Sequence, residues 1–256
     1  MRIVSWNIRA GGGKRISGIL AQLLEWQPDV IGLAEFRGTS ASQWLAAELA
    51  TAGYRNQLTS ISAKSPAKNA LLLASREPLQ AIAVPKMPKN STRWLLAQVA
   101  TQPGLSLGMM HIPNHTTPRL KYPFMAALLK MVEAWKLGPG LLVGDSNCSH
   151  RDLDEENPLG PRFHREHDWI VGMGQRGWTD AFRHLHGKRR EYSWYSHRNN
   201  GFRLDQAFCS PQLESAITGF QHAWGLNPDQ PARREGLSDH AALIIDLAID
   251  KTEAQI

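Results

Sequence analysis

Short apolar runs recur along the chain, and their length of six to nine residues is typical of buried β-strands. Between several of these runs the apolar residues repeat at helical spacing and share one face of a helix. Because the strands are numerous and the helices are interspersed irregularly, the pattern favours two packed sheets flanked by helices over a strictly alternating barrel. The strand-like runs are 2–8, 30–36, 70–75, 94–100, 105–112, 140–145, 203–210 and 241–249. The helical faces carry Ile16, Ile19, Leu20, Leu23 and Leu24, then Trp44, Leu45 and Leu49, and finally Leu128, Leu129, Val132 and Trp135.

The length and punctuation of the chain indicate one domain over residues 1–256. Hydrophobic residues make up 42% of the 256 positions, which is enough for a large core, and no linker or internal repeat interrupts the pattern. Cys148 and Cys209 form no disulfide framework and lack the spacing of a zinc site, which favours a reducing compartment. The sequence shows no signal-peptide pattern and no run of about 18 apolar residues. We therefore expect a cytoplasmic monomer that does not bind a membrane.

The charge balance favours a polyanionic partner. The net charge is +6 and the isoelectric point is about 9.5, so long-range attraction would draw the protein towards nucleic acid. Basic and aromatic residues are interleaved in the segment 183–203, where cations can meet phosphates and aromatic faces can meet bases. The alternatives are a solvated basic loop over an aromatic hairpin, and a protein that is basic without a polyanionic partner.

Polar residues at the ends of strand-like runs are the strongest functional signal. Asp145 and Asn147 stand at the end of the run 140–145 and just after it, and Asp239 and His240 directly precede the run 241–249. Burying such groups costs several kcal/mol unless partners or a metal compensate. Their placement therefore predicts a chemical site at the ends of these strands.

Two upstream runs supply partners for this site. Asn7 lies near the end of the first run and Glu35 near the end of the second. A cleft rich in Asp, Glu and Asn, without paired His or Cys, suits a hard cation with oxygen ligands, so we expect Mg²⁺, with Mn²⁺ as the alternative. Glu35, helped by Asp239, would hold this metal while it binds a substrate phosphate. Alternatively, Glu35 forms an ion pair with Arg37 or Arg9.

Asp145 and Asn147 are predicted to divide the work of hydrolysis. They lie two positions apart after Gly144, so in an extended stretch both side chains point to the same side. Asp145 would orient or deprotonate the attacking water, and Asn147 would donate its amide hydrogens to a phosphate oxygen. A type I turn that favours Asp and Asn is the alternative interpretation.

Two histidines are candidates for hydrogen bonding to the substrate. His240 would donate to a developing phosphorane oxygen and would be oriented by Asp205. The alternative for Asp205 is a structural ion pair with Arg203. His111 closes the run 105–112 before an abrupt turn that contains Asn114, where a leaving-group acid would fit. The alternative for His111 is a satisfied structural histidine.

These segments, in this order, resemble the exonuclease/endonuclease/phosphatase superfamily, and most closely its exonuclease III and apurinic/apyrimidinic endonuclease branch. The likeness spans nearly the whole chain. It implies a deoxyribonuclease I-like α/β fold, which is a four-layer sandwich of two mixed β-sheets with outer helices, and Mg²⁺-dependent phosphodiester cleavage. The matching motifs are SWNIR, QPDVIGLAEFR, HIPN, LLVGDSNCSHRDLD, GWTDAFRHLHG, YSWYSH, FRLDQAFCS and LSDHAAL.

Carried over by motif, the resemblance implies a metal site, a catalytic set and a sugar pocket. It assigns the metal to Glu35, with Asn7 beside it and Asp239 completing the region. It also places Trp194 beside a pocket for a baseless deoxyribose and implies products with 3′-hydroxyl and 5′-phosphate ends. The implied catalytic set is Asp145, Asn147, Asp205 and His240. The candidate substrate-binding residues are Asn114, Arg37, Trp194, Tyr195 and Arg203.

The chain departs from this branch at three motifs, and one departure is KNALLLAS, with Asn69-Ala70, where the branch has a Gly-Val-Ala-Leu strand. Where the branch carries Glu-Thr-Lys this chain has Glu35-Phe36-Arg37, and where it carries tyrosine this chain has His111, which resembles the wider superfamily, including deoxyribonuclease I and sphingomyelinase-type enzymes. Our hypothesis is a Mg²⁺-dependent DNA phosphodiesterase of DNA repair, acting as an abasic-site endonuclease, a 3′-5′ exonuclease or both. The rivals are a phosphodiesterase for RNA, a small ester or a phospholipid headgroup, and a noncatalytic nucleic-acid-binding protein.

Overall fold

The predicted strands are apolar on both faces because each sheet of the molecule is covered on both sides. The computed structural model describes residues 1–160, 164–225 and 236–251. Within these residues two six-stranded mixed sheets pack face to face, and helices cover their outer surfaces. The predicted four-layer α/β sandwich is therefore confirmed.

The first sheet has the amino-terminal strand near its centre. In sheet order its strands are β14 (Ile217–Ala223), β15 (Ala242–Leu247), β1 (Arg2–Asn7), β2 (Val30–Phe36), β4 (Ala70–Ser75) and β3 (Asn56–Thr59). β1 runs parallel to β2 and antiparallel to β15. The strand that follows His240 therefore lies directly beside the strand that ends at Asn7.

The second sheet has its own parallel pair at the centre. In sheet order its strands are β10 (Thr179–Asp180), β13 (Asp205–Cys209), β9 (Gly140–Asp145), β8 (Leu105–His111), β6 (Trp94–Val99) and β5 (Leu79–Ala81). β8 and β9 are parallel, whereas β13 is antiparallel to β9 and β6 is antiparallel to β8. Two small ribbons pair β11 (Trp194–Tyr195) with β12 (Gly201–Phe202), and β7 (Thr101–Gln102) with β16 (Asp250–Lys251).

Helices complete the outer layers. The helices are α1 (Ile16–Trp26), α2 (Ser40–Thr51), α3 (Pro118–Glu133), α4 (His164–Gln175) and α5 (Ala181–His186). α1 and α2 bury Ile19 and Leu45 against the outer face of the first sheet, and α3 and α4 cover the second sheet in the same way. Between the sheets, alternate residues of the strands form a third apolar cluster. No helix among the described residues is long and apolar enough to cross a lipid bilayer.

The structure corrects parts of the predicted element pattern. Trp44 and Leu24 were expected on buried helical faces, but they are 41% and 37% exposed, because each lies beside the buried stripe of its helix. Trp135 lies beyond the end of α3 and packs edge-on against Trp178. The edge strand β14 was not predicted, because it has no period-two pattern: only Ile217 and Phe220 are buried in a largely polar segment, on either side of a register shift.

Candidate active site

Strand ends from both sheets meet at one edge of the sandwich. Because β1 and β2 are parallel, Asn7 lies next to the end of β2 that carries Glu35. Because β8 and β9 are parallel, His111 lies opposite Asp145. β13 runs antiparallel to β9, so its first residue, Asp205, also lies opposite Asp145. The topology thus gathers polar residues that are far apart in the sequence.

Glu35 reaches this edge through a bulge in β2. Its backbone adopts φ 58, and the pairing register with β4 shifts between Ala34 and Phe36. A left-handed backbone is uncommon for a residue with a side chain, and bulges commonly redirect a side chain towards a functional site. The Glu35 carboxylate accepts a hydrogen bond from Ala10 N at 2.7 Å and lines the cleft. Arg37, one of its predicted partners, instead donates to Asn69.

Asp145 is the most densely contacted carboxylate of the site. Its Oδ2 accepts from Asn7 Nδ2 and its Oδ1 accepts from Asn147 N, both at 2.9 Å. His111 Nε2 lies 3.6 Å from the same Oδ2, and His240 Nε2 lies 4.0 Å from it. The side chain is only 2% exposed. Asp145 is therefore fixed in orientation by two amide donors, one on each carboxylate oxygen, and is flanked by two imidazoles.

Gly144 allows β9 to approach β8 closely just before Asp145. Its φ is 139, and a Cβ at this position would lie 2.0 Å from the carbonyl oxygen of Met110. That separation is far shorter than van der Waals contact, and the obstacle is backbone rather than a flexible side chain. Any other residue here would push the strand end that carries Asp145 away from His111.

Asn147 lies in a tight turn rather than in the extended stretch that the spacing predicted. Its φ is 47, which does not fit the type I turn given as the alternative, and its own N–H donates to the Asp145 side chain two residues earlier. Its Nδ2 donates to Ile112 O at 2.9 Å, which leaves one amide hydrogen for another acceptor. The buried Lys121 donates to Asn147 O at 2.5 Å and fixes the turn from behind. Asn147 lines the cleft, as does Lys121.

Asp205 and His240 form a buried pair that spans the two sheets. His240 Nδ1 and Asp205 Oδ2 are 2.9 Å apart. The His240 backbone is held by Trp6, whose Nε1 donates to His240 O at 2.9 Å, and by Ser238, whose hydroxyl accepts from His240 N. Asp205 therefore does not pair with Arg203, and the predicted orientation of His240 by a carboxylate fits this geometry.

Burial and charge set the protonation states. Burial raises the pKa of Asp145 to about 6. Burial alone would lower the pKa of His240, but the carboxylates of Asp205 and Asp145 raise it well above its ordinary value. Burial, together with the cations of Arg93 and His240, holds the pKa of His111 well below 6.5. His240 is therefore a cation at neutral pH and His111 is neutral, which does not favour the predicted role of His111 as a leaving-group acid.

Three cleft residues were missed by the reasoning from sequence. Arg93 lies just before β6, at the edge where β8 ends, and it lines the cleft. Burial lowers the pKa of its guanidinium, and the negative charges of Asp145 and Glu35 oppose this shift. Lys121 and Glu166 are buried, with Lys121 Nζ 3.3 Å from Glu166 Oε1. A signal for Lys121 was present, because it continues the buried helical stripe of α3. That stripe comprises Lys121, Phe124, Met125, Leu128, Met131 and Val132.

Several predicted substrate-binding residues lie elsewhere. Arg203 is fully buried and its guanidinium is held by Asp154 and Asp180, so it cannot contact substrate. Its prediction as a substrate-binding residue is therefore wrong, and the physical reason is that it neutralises two buried carboxylates. Tyr195 is 7% exposed and packs beside Trp224.

The remaining predicted residues lie at or near the cleft. Asp239 lies 4.0 Å from Arg9 Nε, next to His240 in sequence. Asn114 is exposed and lines the cleft, and its Oδ1 accepts from Thr116 N. Arg37 stands behind the cleft residue Asn69, to which its Nε donates at 2.7 Å. Of these residues, Asn114 is therefore placed to meet a ligand directly.

The converging groups open into a cleft of about 840 Å³. Beside His240 its wall is apolar and is formed by Trp194, Phe202 and Leu204. The ring centres of Trp194 and Phe202 are 5.8 Å apart, and those of Trp194 and His240 are 6.3 Å apart. The exposed Arg198 lies on the rim. The cleft thus combines an acidic floor, a basic rim and an aromatic wall.

The donor set fits a hard divalent cation. Ligand-type atoms of Asp145, Asp205 and His240 lie within 4.8 Å of one another. His240 is an unsuitable ligand in this arrangement, because its Nδ1 bonds Asp205 and its ring is protonated. The Glu35 carboxylate lines the same cleft and has one oxygen besides the Oε2 that Ala10 N bonds, so it is available as an oxygen ligand. A cation held in this cleft would offset the cost of burying Asp145 as an anion. Oxygen donors of this kind suit Mg²⁺ or Mn²⁺ rather than zinc.

Similar proteins share both this sequence pattern and this fold. An exodeoxyribonuclease of Streptococcus pneumoniae is 25% identical over 260 aligned residues, which span 85% of this chain and 92% of that protein. A 3′ phosphatase from Neisseria, solved with a product DNA hairpin, superimposes with a TM-score of 0.74 at 22% identity, over 96% of this chain and 99% of that chain. An AP endonuclease from Archaeoglobus fulgidus gives a TM-score of 0.76 at 18% identity, over 97% and 99%. These structures have the same fold as this chain.

A family model matches most of the chain. Residues 4–240 match the model described as the endonuclease/exonuclease/phosphatase family, a range that includes every residue of the site described above. Together with the exodeoxyribonuclease relatives, this match confirms the predicted class of enzyme, a hydrolase of the nuclease type. It also supports the predicted resemblance to the exonuclease III and AP endonuclease branch. This chain belongs to the endonuclease/exonuclease/phosphatase family.

Proposed function

We propose that this chain is a Mg²⁺-dependent DNA phosphodiesterase of DNA repair, which incises abasic sites and trims 3′ ends. The observation that carries the proposal is the setting of Asp145, a buried carboxylate fixed by two amide donors and flanked by two imidazoles at the floor of an open cleft. The DNA-bound 3′ phosphatase and the exodeoxyribonuclease relatives support DNA as the substrate class. The AP endonuclease of the same fold supports abasic sites as one target.

Asp145 would orient the attacking water and accept its proton. Asn7 and Asn147 each donate to a different oxygen of this carboxylate, so its remaining lone pairs are held in fixed directions. A pKa of about 6 makes Asp145 a better base than an ordinary carboxylate while it is still ionised at neutral pH. Neutral His111, 3.6 Å away, would help to hold the same carboxylate.

Positive charge and amide donors would stabilise the phosphoryl oxygens. His240 is a cation through its pairing with Asp205, and its Nε2 points towards Asp145. The free amide hydrogen of Asn147 and the guanidinium of Arg93 border the same space. Donors fixed in advance where negative charge develops contribute strongly to catalysis, because they need no reorganisation during the reaction.

The metal site in this proposal is the carboxylate of Glu35, with Asn7 and Asp239 completing its surroundings. When bound, Mg²⁺ supplies Lewis-acid polarisation of a phosphoryl oxygen and neutralises charge. The chain's own contribution is the bulge at Glu35 and the bond from Ala10 N, which fix one carboxylate oxygen and the direction of the other. The raised pKa of Asp145 is consistent with a nearby site for a compensating cation.

The aromatic wall bears on the substrate class. Trp194, Phe202 and Leu204 give an apolar surface directly beside His240. A deoxyribose without a base could fill this space, whereas a nucleotide inside a duplex would bring its stacked base with it. Arg198 on the rim could contact the phosphate backbone. The wall therefore favours abasic sites and terminal sugars.

A substrate panel tests the proposal. Purified protein is incubated with abasic duplex, intact duplex, single-stranded DNA, RNA and a chromogenic diester, each with Mg²⁺, Mn²⁺ or a chelator. We expect cleavage of the abasic duplex and of 3′ ends with Mg²⁺ and none with chelator. His240→Ala should reduce the rate by about 10²- to 10³-fold, because it removes a donor to the developing charge.

A matched variant and the other substrates make the panel decisive. Asp246 lies on β15 away from the cleft, and its partly exposed carboxylate pairs with Arg2. Asp246→Asn should therefore leave cleavage unchanged. Cleavage of only RNA or of only the chromogenic diester would assign the site to a different substrate. Cleavage that is unaffected by His240→Ala would refute the role given to this residue.

A further inference from the structure

A buried histidine outside the cleft touches the backbone of Asp205. His222 lies on β14, the edge strand of the first sheet, and its side chain has no exposed surface. Its Nε2 is 3.0 Å from Asp205 O, and its Nδ1 is 3.0 Å from Glu191 Oε1. Both ring nitrogens therefore face acceptor oxygens, an arrangement that a ring with two N–H groups satisfies fully.

Asp205 is held from both sides of its backbone. Its N–H donates to the hydroxyl of Ser193 at 3.0 Å, and its carbonyl faces His222. Its carboxylate is then free to bond His240. Because β10 pairs with β13 only opposite Phe208 and Cys209, no strand among the described residues pairs with the outer side of β13 at Asp205. His222 occupies that position with a side chain.

Glu191 fixes the histidine itself. Its Oε1 also accepts from His222 N at 3.2 Å, and its Oε2 lies 2.9 Å from Arg189 Nη2. The His222 ring further packs against Phe220, with centres 5.3 Å apart. The ring is therefore restrained by a carboxylate, by its own backbone and by an aromatic neighbour.

We propose that His222, oriented by Glu191, is a positioning residue that sets the Asp205–His240 pair across the two sheets. Asp205 belongs to the second sheet, whereas His240 lies two residues before β15 of the first sheet. His222 belongs to the first sheet and contacts Asp205, so it ties the two sheets together at the point where the pair crosses between them. This inference rests on the proposed function, since it gives the Asp205–His240 pair a catalytic role.

Steady-state kinetics and one spectroscopic signal test this positioning role. His222→Leu removes both ring nitrogens that face Glu191 and Asp205, and His222→Gln keeps a polar amide that can donate through an N–H. On the substrate that the wild type cleaves fastest in the panel, we expect His222→Leu to lower kcat by about 10- to 100-fold, with KM changed less than about twofold. His222→Gln and Glu191→Gln should give smaller losses. In the NMR spectrum of ¹⁵N-histidine-labelled protein, the Nδ1 proton of His240 should shift or broaden in His222→Leu.

His186→Leu is the matched control. Like His222, His186 has a ring nitrogen near a backbone carbonyl: its Nε2 is 2.9 Å from Phe220 O on β14, and its ring packs on Phe182. Unlike the His222 ring, the His186 ring bonds neither Asp205 nor Glu191. It should leave kcat and the His240 signal unchanged. Equal losses in both variants, or an unchanged kcat and His240 signal in His222→Leu, would show that His222 is merely structural. If the wild type cleaves none of the substrates, the proposed function fails, while the His240 signal still reports whether His222 positions the pair.

Discussion

Asp145→Asn is expected to make the metal-free protein more stable while it slows catalysis by orders of magnitude. The buried carboxylate has a pKa of about 6 in the folded protein, against an ordinary value of 3.8. At pH above 6 the folded state must therefore hold an anion in a position where the neutral acid would be favoured. An asparagine has the shape of that neutral acid and carries no charge to bury.

The magnitude follows from the pKa difference. At about 1.4 kcal/mol per pH unit, the charge costs the folded state up to about 3 kcal/mol at neutral pH. Asparagine has one acceptor oxygen, so it cannot serve both the Asn7 and the Asn147 donor, and losing one such bond costs about 1 kcal/mol. We expect a net gain of about 1–2 kcal/mol, or roughly 2–8 °C in Tm for a chain of this size.

The pH dependence carries the sign of this effect. Since the folded pKa lies above the unfolded one, the folded state binds more protons between pH 3.8 and 6, and the stability of the wild type falls there as pH rises. The variant lacks this titration. Its advantage should therefore be largest above pH 6 and should vanish near pH 4. At the same time, loss of the base should reduce kcat by about 10²- to 10⁴-fold.

Denaturant unfolding in chelator at several pH values measures this prediction. Asp246→Asn serves as the control, because a surface pair with Arg2 is worth at most about 1 kcal/mol and its loss should be slightly destabilising. Adding Mg²⁺ should stabilise the wild type more than Asp145→Asn, because the cation offsets the buried charge. A variant that is less stable than the wild type at pH 7.5 in chelator, or a difference that does not change with pH, would refute the reasoning.

Three further predictions concern the cleft and its support. Arg93→Gln should raise KM for DNA by about 10- to 100-fold, because it removes a charge-assisted hydrogen bond. Steady-state assays at several salt concentrations measure this effect, and the KM of Arg93→Lys should lie between those of the wild type and Arg93→Gln. Trp194→Ala should reduce the preference for abasic over intact duplex in competition assays, whereas Trp44→Ala, which changes an exposed helix residue, should not. Burial would raise the pKa of Glu191, but His222 and then Arg189 hold it at about 2, below its ordinary value of 4.5. Glu191→Gln should therefore destabilise the protein above pH 4.5. The difference in unfolding free energy between the variant and the wild type should shrink as pH falls towards 2.

Much of the site was predictable because polar residues beside apolar runs have few structural explanations. Asp145 and His240 could be found in this way, and the antiparallel pairing of β15 with β1 and of β13 with β9 then places them at the same edge of the sandwich. The same reasoning finds Glu35, but it does not foresee the bulge that turns its side chain into the cleft. The left-handed backbone of Glu35, with φ 58, cannot be predicted from a pattern of hydrophobic and polar residues.

The errors came from partners that are distant in sequence. Arg203 stands two residues before Asp205, so a local ion pair or a substrate contact looked natural, yet its carboxylate partners are Asp154 and Asp180. Lys121 lies within α3 and not at the end of a strand-like run in the sequence, and only its place on the buried stripe of α3 signals its role. Such long-range pairings depend on tertiary packing, which a single sequence does not encode locally.

The site depends on the packing of the two sheets as much as on its own residues. Asn7 and His240 come from the first sheet, whereas Asp145 and Asp205 come from the second, and short hydrogen bonds join them across the interface. Those bonds are 2.9 Å long, so a shift of one sheet by about 1 Å would break them, and misplacement on that scale can cost about 10²-fold in rate. The apolar layer between the sheets therefore acts on catalysis, because it sets the separation at which a carboxylate from one sheet meets an imidazole from the other.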